Sequence, residues 1–79
     1  MNASELKPII LGVLNAAVPG IDTSILGDDD DMRETLDIDS FDALQFFIGL
    51  NEKLGIDIPE KDYGKLYTVN QIIAYVGDK

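Results

Sequence analysis

The sequence predicts an all-α fold: a small bundle of three main helices and one short helix, with a long first loop. Apolar residues recur at the spacing of an α-helix in three separate segments. Helix-stopping residues, Pro19-Gly20 and Gly55, separate those segments. The chain has 79 residues, 46% of them hydrophobic, and neither cysteine nor histidine, so packed helices must supply its stability. We expect residues 1–79 to form one domain.

The first helix is predicted from an apolar stripe along one face. The members of the stripe are Leu6, Ile9, Ile10, Val13, Leu14 and Ala17. Asn2 together with Glu5, or Ser4 alone, can cap the start of this helix. Pro8 is tolerated only if it lies in the first turn, and Pro19-Gly20 ends the helix.

Residues 21–36 are predicted to form a long loop that crosses the bundle. Four consecutive aspartates, Asp28 to Asp31, repel one another too strongly for the interior of a helix, and we expect them to face water. Asp28 can cap a short turn. The apolar residues expected to pack on the bundle are Ile21, Ile25, Leu26, Met32 and Leu36.

The second long helix is predicted from about residue 40 to Leu54, with Gly55 as its stop. It contains more apolar side chains than one face can bury. Leu44 and Ile48, one turn apart, fall away from the core face, and we expect them to be partly exposed. The residues that fit the core face are Phe46, Phe47, Leu50 and Leu54.

The rest of the chain is predicted to form an extended link, a short helix and a final helix. The link is residues 56–59, and Pro59 opens the short helix, which runs to about Leu66. Thr68-Val69-Asn70-Gln71 is a capping box for the last helix, which ends at Gly77.

Ser40 is the most informative residue of the chain. It lies in the run Asp37-Ile38-Asp39-Ser40-Phe41-Asp42, between the acidic loop and the second long helix. Because the chain has no histidine or cysteine, Ser40 lacks the usual bases that activate a nucleophile, and we expect no catalytic residue and no enzyme. Ser40 can be the N-cap of the helix, or it can be the target of another enzyme, and the two roles are partly compatible because a phosphate on Ser40 would lie near the positive end of the helix dipole.

The Asp39-Ser40-Phe41 segment and the helix after it resemble the phosphopantetheine attachment site of acyl carrier proteins, whose common form is Asp-Ser-Leu. The long loop, the Gly-Ile-x-Ile-Pro link at 55–59 and the closing Thr-Val helix extend the resemblance over nearly the whole chain. The resemblance implies a carrier-protein bundle in which a phosphopantetheinyl transferase moves 4′-phosphopantetheine from coenzyme A to Ser40, flanked by Asp39 and Phe41. The attached arm then holds acyl groups as thioesters. Phe41 departs from the usual leucine but keeps the apolar character.

The resemblance also implies partners: the transferase, and acyl-loading, synthase or acyltransferase enzymes with basic or apolar docking surfaces. The residues expected to meet them are Asp42, Leu44, Ile48 and Glu52. Carriers of fatty-acid synthesis generally have several glutamates along this helix, whereas this chain has Gln45 and Asn51. A fatty-acid pathway and a specialised acyl or polyketide pathway therefore both stay open, as does a peptidyl or aminoacyl carrier.

The apolar interior between the second long helix and the next helix is expected to shelter the acyl chain, since burial is favourable by about 0.8 kcal/mol per methylene. The lining candidates are Met32, Phe46, Ile58, Tyr63 and Leu66. An equally good interpretation is that these five side chains are simply core.

Charge and composition argue against several other functions. Fifteen acidic residues against six basic ones give a net charge of −9, which disfavours nucleic acid and anionic membranes as partners. We expect the protein in the cytoplasm, because the sequence shows no signal peptide and no membrane-spanning run. We also expect a monomer.

The acidic runs do not form a calcium loop, which needs glycine at its sixth position and glutamate at its twelfth. Counted from Asp28 or from Asp37, neither frame has both residues, and we expect no metal site. An acidic helical adaptor without a prosthetic group remains an alternative.

Overall fold

The computed structural model describes residues 2–77, in which it contains four α-helices and two 3₁₀ segments. In chain order they are α1 (Ala3–Ala17), a 3₁₀ turn (Thr23–Ile25), α2 (Met32–Thr35), α3 (Ser40–Leu54), a 3₁₀ helix (Glu60–Lys65) and α4 (Val69–Gly77). The predicted all-α class is confirmed, since residues 2–77 contain no strand. Helices α1, α3 and α4 match the three main predicted helices. Helix α2 and the 3₁₀ turn lie inside the predicted loop, where the sequence suggested only one short turn.

Helix α1 begins as predicted, with Asn2 as its cap. The Asn2 Oδ1 accepts hydrogen bonds from the Glu5 backbone N–H (3.0 Å) and from the Ser4 Oγ (2.9 Å). Pro8 lies in the second turn of α1, so the expectation that it would lie in the first turn is wrong. Proline has no N–H to donate to the Ser4 carbonyl, and the helix tolerates this because Ser4 is exposed to water. The buried face of α1 consists of Leu6, Ile10, Val13 and Leu14.

The first two residues of the aspartate run connect the loop to both terminal helices. The Asp28 carboxylate pairs with the Lys7 ammonium of α1 (Oδ1 to Nζ, 2.7 Å). The Asp28 carbonyl accepts the Asn70 backbone N–H of α4 (3.0 Å), and the Asp29 carboxylate accepts from the Asn70 side-chain amide (2.7 Å). Charge repulsion within the run is therefore offset by contacts to α1 and α4.

The last two residues of the run form local turns. The Asp30 carboxylate accepts the Gly27 N–H (2.8 Å). Asp31 is the N-cap of α2, where it accepts the Arg33 backbone N–H (2.8 Å) and pairs with the Arg33 guanidinium. The sequence suggested Asp28 as the cap of a short turn here, but the residue that caps α2 is Asp31.

The apolar residues of the loop differ in how deeply they pack. Leu26 and Met32 are buried, as predicted, and Ile21 and Leu36 are half-buried. Ile25 is 58% exposed, so the expectation that it packs on the bundle is wrong. The 3₁₀ turn that ends at Ile25 accounts for the difference, because it is too short to have a continuous apolar face.

Helix α3 packs closely against α1. A Cβ atom at Gly49 would lie 3.1 Å from the Val13 Cγ1 of α1, which is tighter than an ordinary contact, so glycine allows this approach. Gly55 adopts φ +66° and ends α3, as predicted. In the predicted core face, Phe46, Phe47 and Leu50 are fully buried and Leu54 is half-buried.

The C-terminal part of the chain is tied to the loop and begins its last helix as predicted. The Met32 N–H donates to the Tyr67 carbonyl (2.9 Å). The capping box of α4 is confirmed, since the Gln71 N–H donates to the Thr68 Oγ1 (3.0 Å) and the Thr68 N–H donates to the Gln71 Oε1 (3.2 Å). The predicted short helix is present as the 3₁₀ helix.

Candidate functional site

The start of α3 presents Ser40 on the surface. Asp39 is the N-cap of the helix, and its Oδ1 accepts the Asp42 backbone N–H at 2.8 Å. Ser40 is the first residue of α3 and is exposed. The alternative that Ser40 itself caps the helix is therefore wrong, and its hydroxyl is not needed to begin α3.

The two residues before Asp39 hold this helix start in place. Asp37 has φ +53°, in the left-handed region, which aspartate tolerates better than most residues other than glycine. The following residue, Ile38, enters the core with only 7% of its surface exposed, whereas Asp39 and Ser40 are exposed. One buried apolar side chain therefore anchors the Asp39-Ser40 pair at the surface.

An open cleft of about 520 Å³ lies beside Ser40, between α3 and the segment that follows it. We call it the aromatic cleft; its lining residues are Ser40, Phe41, Leu44, Glu60, Tyr63 and Tyr67. Glu60 and Tyr67 are not among the predicted site residues. Neither residue carried a local sequence signal for this position, because the cleft forms only when residues 40–44 and 60–67 come together in the folded chain.

Apolar side chains line the exposed side of α3 near Ser40. Phe41 is 66% exposed, Leu44 39% and Ile48 42%, so the predicted exposure of Leu44 and Ile48 is confirmed. Glu52, also exposed, continues the same face one turn beyond Ile48. Asp42 is half-buried in the first turn. Leu44, Ile48 and Glu52 therefore share one exposed face of α3, whereas Asp42, two residues before Leu44, lies on another side of the helix.

The five candidates for an acyl-chain lining do not share one environment. Only Tyr63 is partly exposed and borders the aromatic cleft. The other four are at most 2% exposed and belong to the packed core; they are Met32, Phe46, Ile58 and Leu66.

Stacked rings lie between the aromatic cleft and the core. The Phe47 and Tyr63 rings are nearly parallel (15°) with their centroids 4.2 Å apart, and Tyr67 meets Phe47 edge-on at 5.7 Å. The Arg33 guanidinium lies 3.7 Å from the centroid of the Tyr67 ring, a cation–π contact. The hydrogen bond from this guanidinium to Asp31 lowers the pKa of the Asp31 carboxyl. Tyr67 therefore contacts both Phe47 and Arg33.

Two further observations concern metals and membranes. Across residues 2–77, no group of three or more acidic side chains is arranged to hold a metal ion. None of the helices in that range has both the length and the apolar character needed to traverse a lipid bilayer.

The all-α bundle, with Ser40 exposed at the start of α3 beside a cleft, matches the carrier-protein bundle that the sequence resemblance implies. The family model described as "Phosphopantetheine attachment site" matches residues 9–76. The match includes Ser40 and every residue that lines the aromatic cleft.

Comparison with known proteins identifies relatives of similar length. The acyl carrier protein of Rhodococcus erythropolis is 33% identical over 66 residues, which cover 84% of this chain and 72% of the relative. That of Chlamydia felis is 35% identical over 72 residues (91% and 86%), and the meromycolate extension acyl carrier protein of Mycolicibacterium aurum is 30% identical over 76 residues (94% and 78%). The chain belongs to the acyl carrier protein family, whose members carry a covalent 4′-phosphopantetheine group.

Proposed function

We propose that this chain carries acyl groups on a 4′-phosphopantetheine group esterified to the Ser40 Oγ. The observation that carries the proposal is the exposure of Ser40 at the first position of α3, with Asp39 as the cap and the Ser40 hydroxyl left available. The bound group supplies a terminal thiol, which can hold acyl groups as thioesters, to a chain that has no cysteine.

The residues around Ser40 suit a phosphodiester at this position. The free N–H groups and the dipole at the N-terminus of α3 favour negative charge there. Asp39 holds the first turn through its hydrogen bond to Asp42, so the position of Ser40 is fixed before modification. The Asp39 and Asp42 carboxylates also give the transferase two anionic groups to bind beside its target.

The proposal is tested by intact mass after coexpression with a broad-specificity phosphopantetheinyl transferase. The wild-type chain should gain the mass of one phosphopantetheine, and Ser40→Ala should abolish the gain while the helical circular dichroism spectrum stays nearly unchanged. Ser24→Ala is the matched control, because Ser24 lies outside the site and bonds to Asp22, and it should be modified like the wild type. An unmodified wild-type chain, under conditions that modify a control carrier, would contradict the assignment and favour an adaptor without a prosthetic group.

We further propose that partner enzymes dock on the exposed side of α3 and meet Leu44 and Ile48 first. Both side chains are about two-fifths exposed, and Glu52 is the nearest acidic residue beyond them on that face. Asn51 is half-buried, and its Oδ1 accepts the Ile58 N–H (3.1 Å). Asn51 therefore anchors the link to the 3₁₀ helix.

The pathway we propose is acyl biosynthesis, of the fatty-acid or a specialised type. The acyl carrier protein relatives support this assignment, and several of them are named for meromycolate extension. The deciding experiment isolates the loaded protein from its native host, releases the cargo with hydroxylamine and identifies the hydroxamate by mass spectrometry. A fatty or polyketide acyl hydroxamate would support the proposal, and an amino-acid hydroxamate would instead establish an aminoacyl carrier.

A further inference from the structure

We propose that Asp37 is a positioning residue for the modification of Ser40. Its left-handed backbone conformation keeps Asp39 as the cap of α3 and so keeps the Ser40 hydroxyl available to the transferase. This inference rests on the proposed attachment to Ser40. It assigns a role to a residue outside the Asp39-Ser40-Phe41 segment, and that role belongs to the backbone of Asp37 and not to its carboxylate.

The first argument is the shortness of the connection between α2 and α3. Helix α2 ends at its C-cap, Leu36, and Asp39 is already the N-cap of α3, so only Asp37 and Ile38 join the two helices. The residue just past a helix C-cap commonly adopts the left-handed conformation, and it is usually glycine. Asp37 has this position with φ +53°, and it is the one residue other than glycine with a positive φ among residues 2–77. The direction in which α3 begins therefore depends on the backbone at Asp37.

The second argument is that either of two neighbouring residues can start α3, and only one choice leaves the Ser40 hydroxyl available. Aspartate and serine are about equally good helix caps. In the structure, the Asp39 Oδ1 accepts the Asp42 N–H (2.8 Å) and the Asp39 carbonyl accepts the Ala43 N–H (3.0 Å). If α3 began one residue later, the Ser40 Oγ would accept a backbone N–H of the first turn. The oxygen that must bond to phosphorus would then be engaged in the helix cap.

The third argument is that the Asp37 carboxylate has no structural partner. Asp37 is exposed, and its side chain forms no hydrogen bond or ion pair within the described range 2–77. Ile38, in contrast, is only 7% exposed and fixes the connection to the core. A substitution at position 37 can therefore alter the backbone without removing a side-chain contact. The left-handed region is tolerated best by glycine, then by asparagine and aspartate, less by alanine and least by β-branched residues such as valine.

The test compares four variants that all lack the carboxylate: Asp37→Gly, Asp37→Asn, Asp37→Ala and Asp37→Val. Each chain is incubated with coenzyme A and a broad-specificity phosphopantetheinyl transferase, and intact mass follows the product. The Ser40 Oγ–phosphorus bond forms as the pyrophosphate bond of the coenzyme breaks, adenosine bisphosphate leaves and the serine proton goes to solvent.

The rates should follow the tolerance for a left-handed backbone. Asp37→Gly and Asp37→Asn should be modified like the wild type. Asp37→Val should lose about tenfold in kcat/KM, which corresponds to about 1.4 kcal/mol, and Asp37→Ala about threefold. The loss should appear in KM with kcat nearly unchanged, because the substitution lowers the fraction of chains whose hydroxyl is available.

NMR supplies a measurement that a general loss of stability would not change. The Cα and Cβ chemical shifts of Ser40 should be helical in the wild type, Asp37→Gly and Asp37→Asn, and should move toward those of a capping residue in Asp37→Val. Asp57→Val is the matched control, because Asp57 is exposed, lies outside the helices and does not line the aromatic cleft. Its modification rate and its Ser40 shifts should match the wild type.

The outcomes separate the backbone of Asp37 from its charge. Equal rates in all four variants would overturn the inference, and so would equal losses in all four, which would assign the role to the carboxylate. A slow Asp37→Val with unchanged Ser40 shifts would overturn it as well. If Asp37→Val does not fold, the order of the other three variants decides. A wild-type chain that is not modified would instead count against attachment to Ser40, so the two proposals fail separately.

Discussion

Phe47 is the ring on which the aromatic cluster is centred, and its replacement by leucine should measurably destabilise the domain. The side chain is fully buried, stacks on Tyr63 and meets Tyr67 edge-on. Loss of an aromatic pair costs about 0.5–1.5 kcal/mol beyond burial, and the smaller apolar surface adds about 1 kcal/mol. We therefore expect Phe47→Leu to lower the free energy of unfolding by about 1.5–2.5 kcal/mol. Leucine is preferred to alanine, whose cost of about 3–5 kcal/mol approaches the whole stability of a small domain.

The assay is urea unfolding of the apo protein, followed by circular dichroism at 222 nm. Phe41→Leu is the matched control, because it makes the same chemical change at a side chain that is 66% exposed, and its effect should stay within about 0.5 kcal/mol. A double-mutant cycle with Tyr63→Leu should show a coupling of about 0.5–1.5 kcal/mol between the two rings. Equal losses for Phe47→Leu and Phe41→Leu would refute the stacked cluster as a source of stability.

Three further predictions concern charge, docking and pH. Added salt or millimolar divalent cations should raise the melting temperature of the apo domain, because they screen repulsion in a chain of net charge −9; an unchanged temperature would show that repulsion is not limiting. Leu44→Ser or Ile48→Ser should slow loading by the cognate acyl-loading enzyme more than Glu52→Gln does. The reason is that a desolvated apolar side chain contributes roughly 1.5–3 kcal/mol and an exposed ion pair about 0–1 kcal/mol. If loading collapses with salt and with Glu52→Gln but tolerates Leu44→Ser, docking is electrostatic and this prediction is wrong. The Tyr75 hydroxyl donates a hydrogen bond to the Asp62 carboxylate (2.8 Å), and this bond lowers the pKa of Asp62 in the folded state. The bond therefore stabilises the fold fully above the unfolded pKa of about 3.9, and this stabilisation is lost as the pH falls through the lowered folded pKa. Tyr75→Phe should therefore destabilise the domain more at neutral pH than in strong acid, and a carboxyl NMR titration should show a higher pKa for Asp62; an unchanged Asp62 pKa would contradict this reasoning.

Features that depend on local sequence were predicted well. The apolar stripes of α1 and α3 extend over four turns each, so their periodicity identifies both the helices and their buried faces. The Asn2 cap and the Thr68-Gln71 capping box depend on residues three apart and were equally readable. The exposure of Leu44 and Ile48 followed from the same helical geometry.

Features that depend on distant contacts were not readable in this way. Helix α2 has only four residues, too few to show a periodic pattern. Asp39 and Ser40 are both good caps, and the choice between them is made by the turn at Asp37 and the burial of Ile38. The aromatic cleft exists only because residues 40–44 and 60–67 come together in the folded chain.

The hydrogen bonds between the loop and α4 have a consequence for how the protein is made. Asn70 follows its partner Asp29 by 41 residues. The Met32 N–H and the Tyr67 carbonyl that it bonds to are separated by a similar length of chain. On the ribosome, α1 and α3 emerge early enough to pair, whereas the loop lacks these partners until residues 67–70 have been synthesised. Closing so long a stretch of chain costs entropy that the new contacts must offset. Ordering of the loop is therefore coupled to docking of α4.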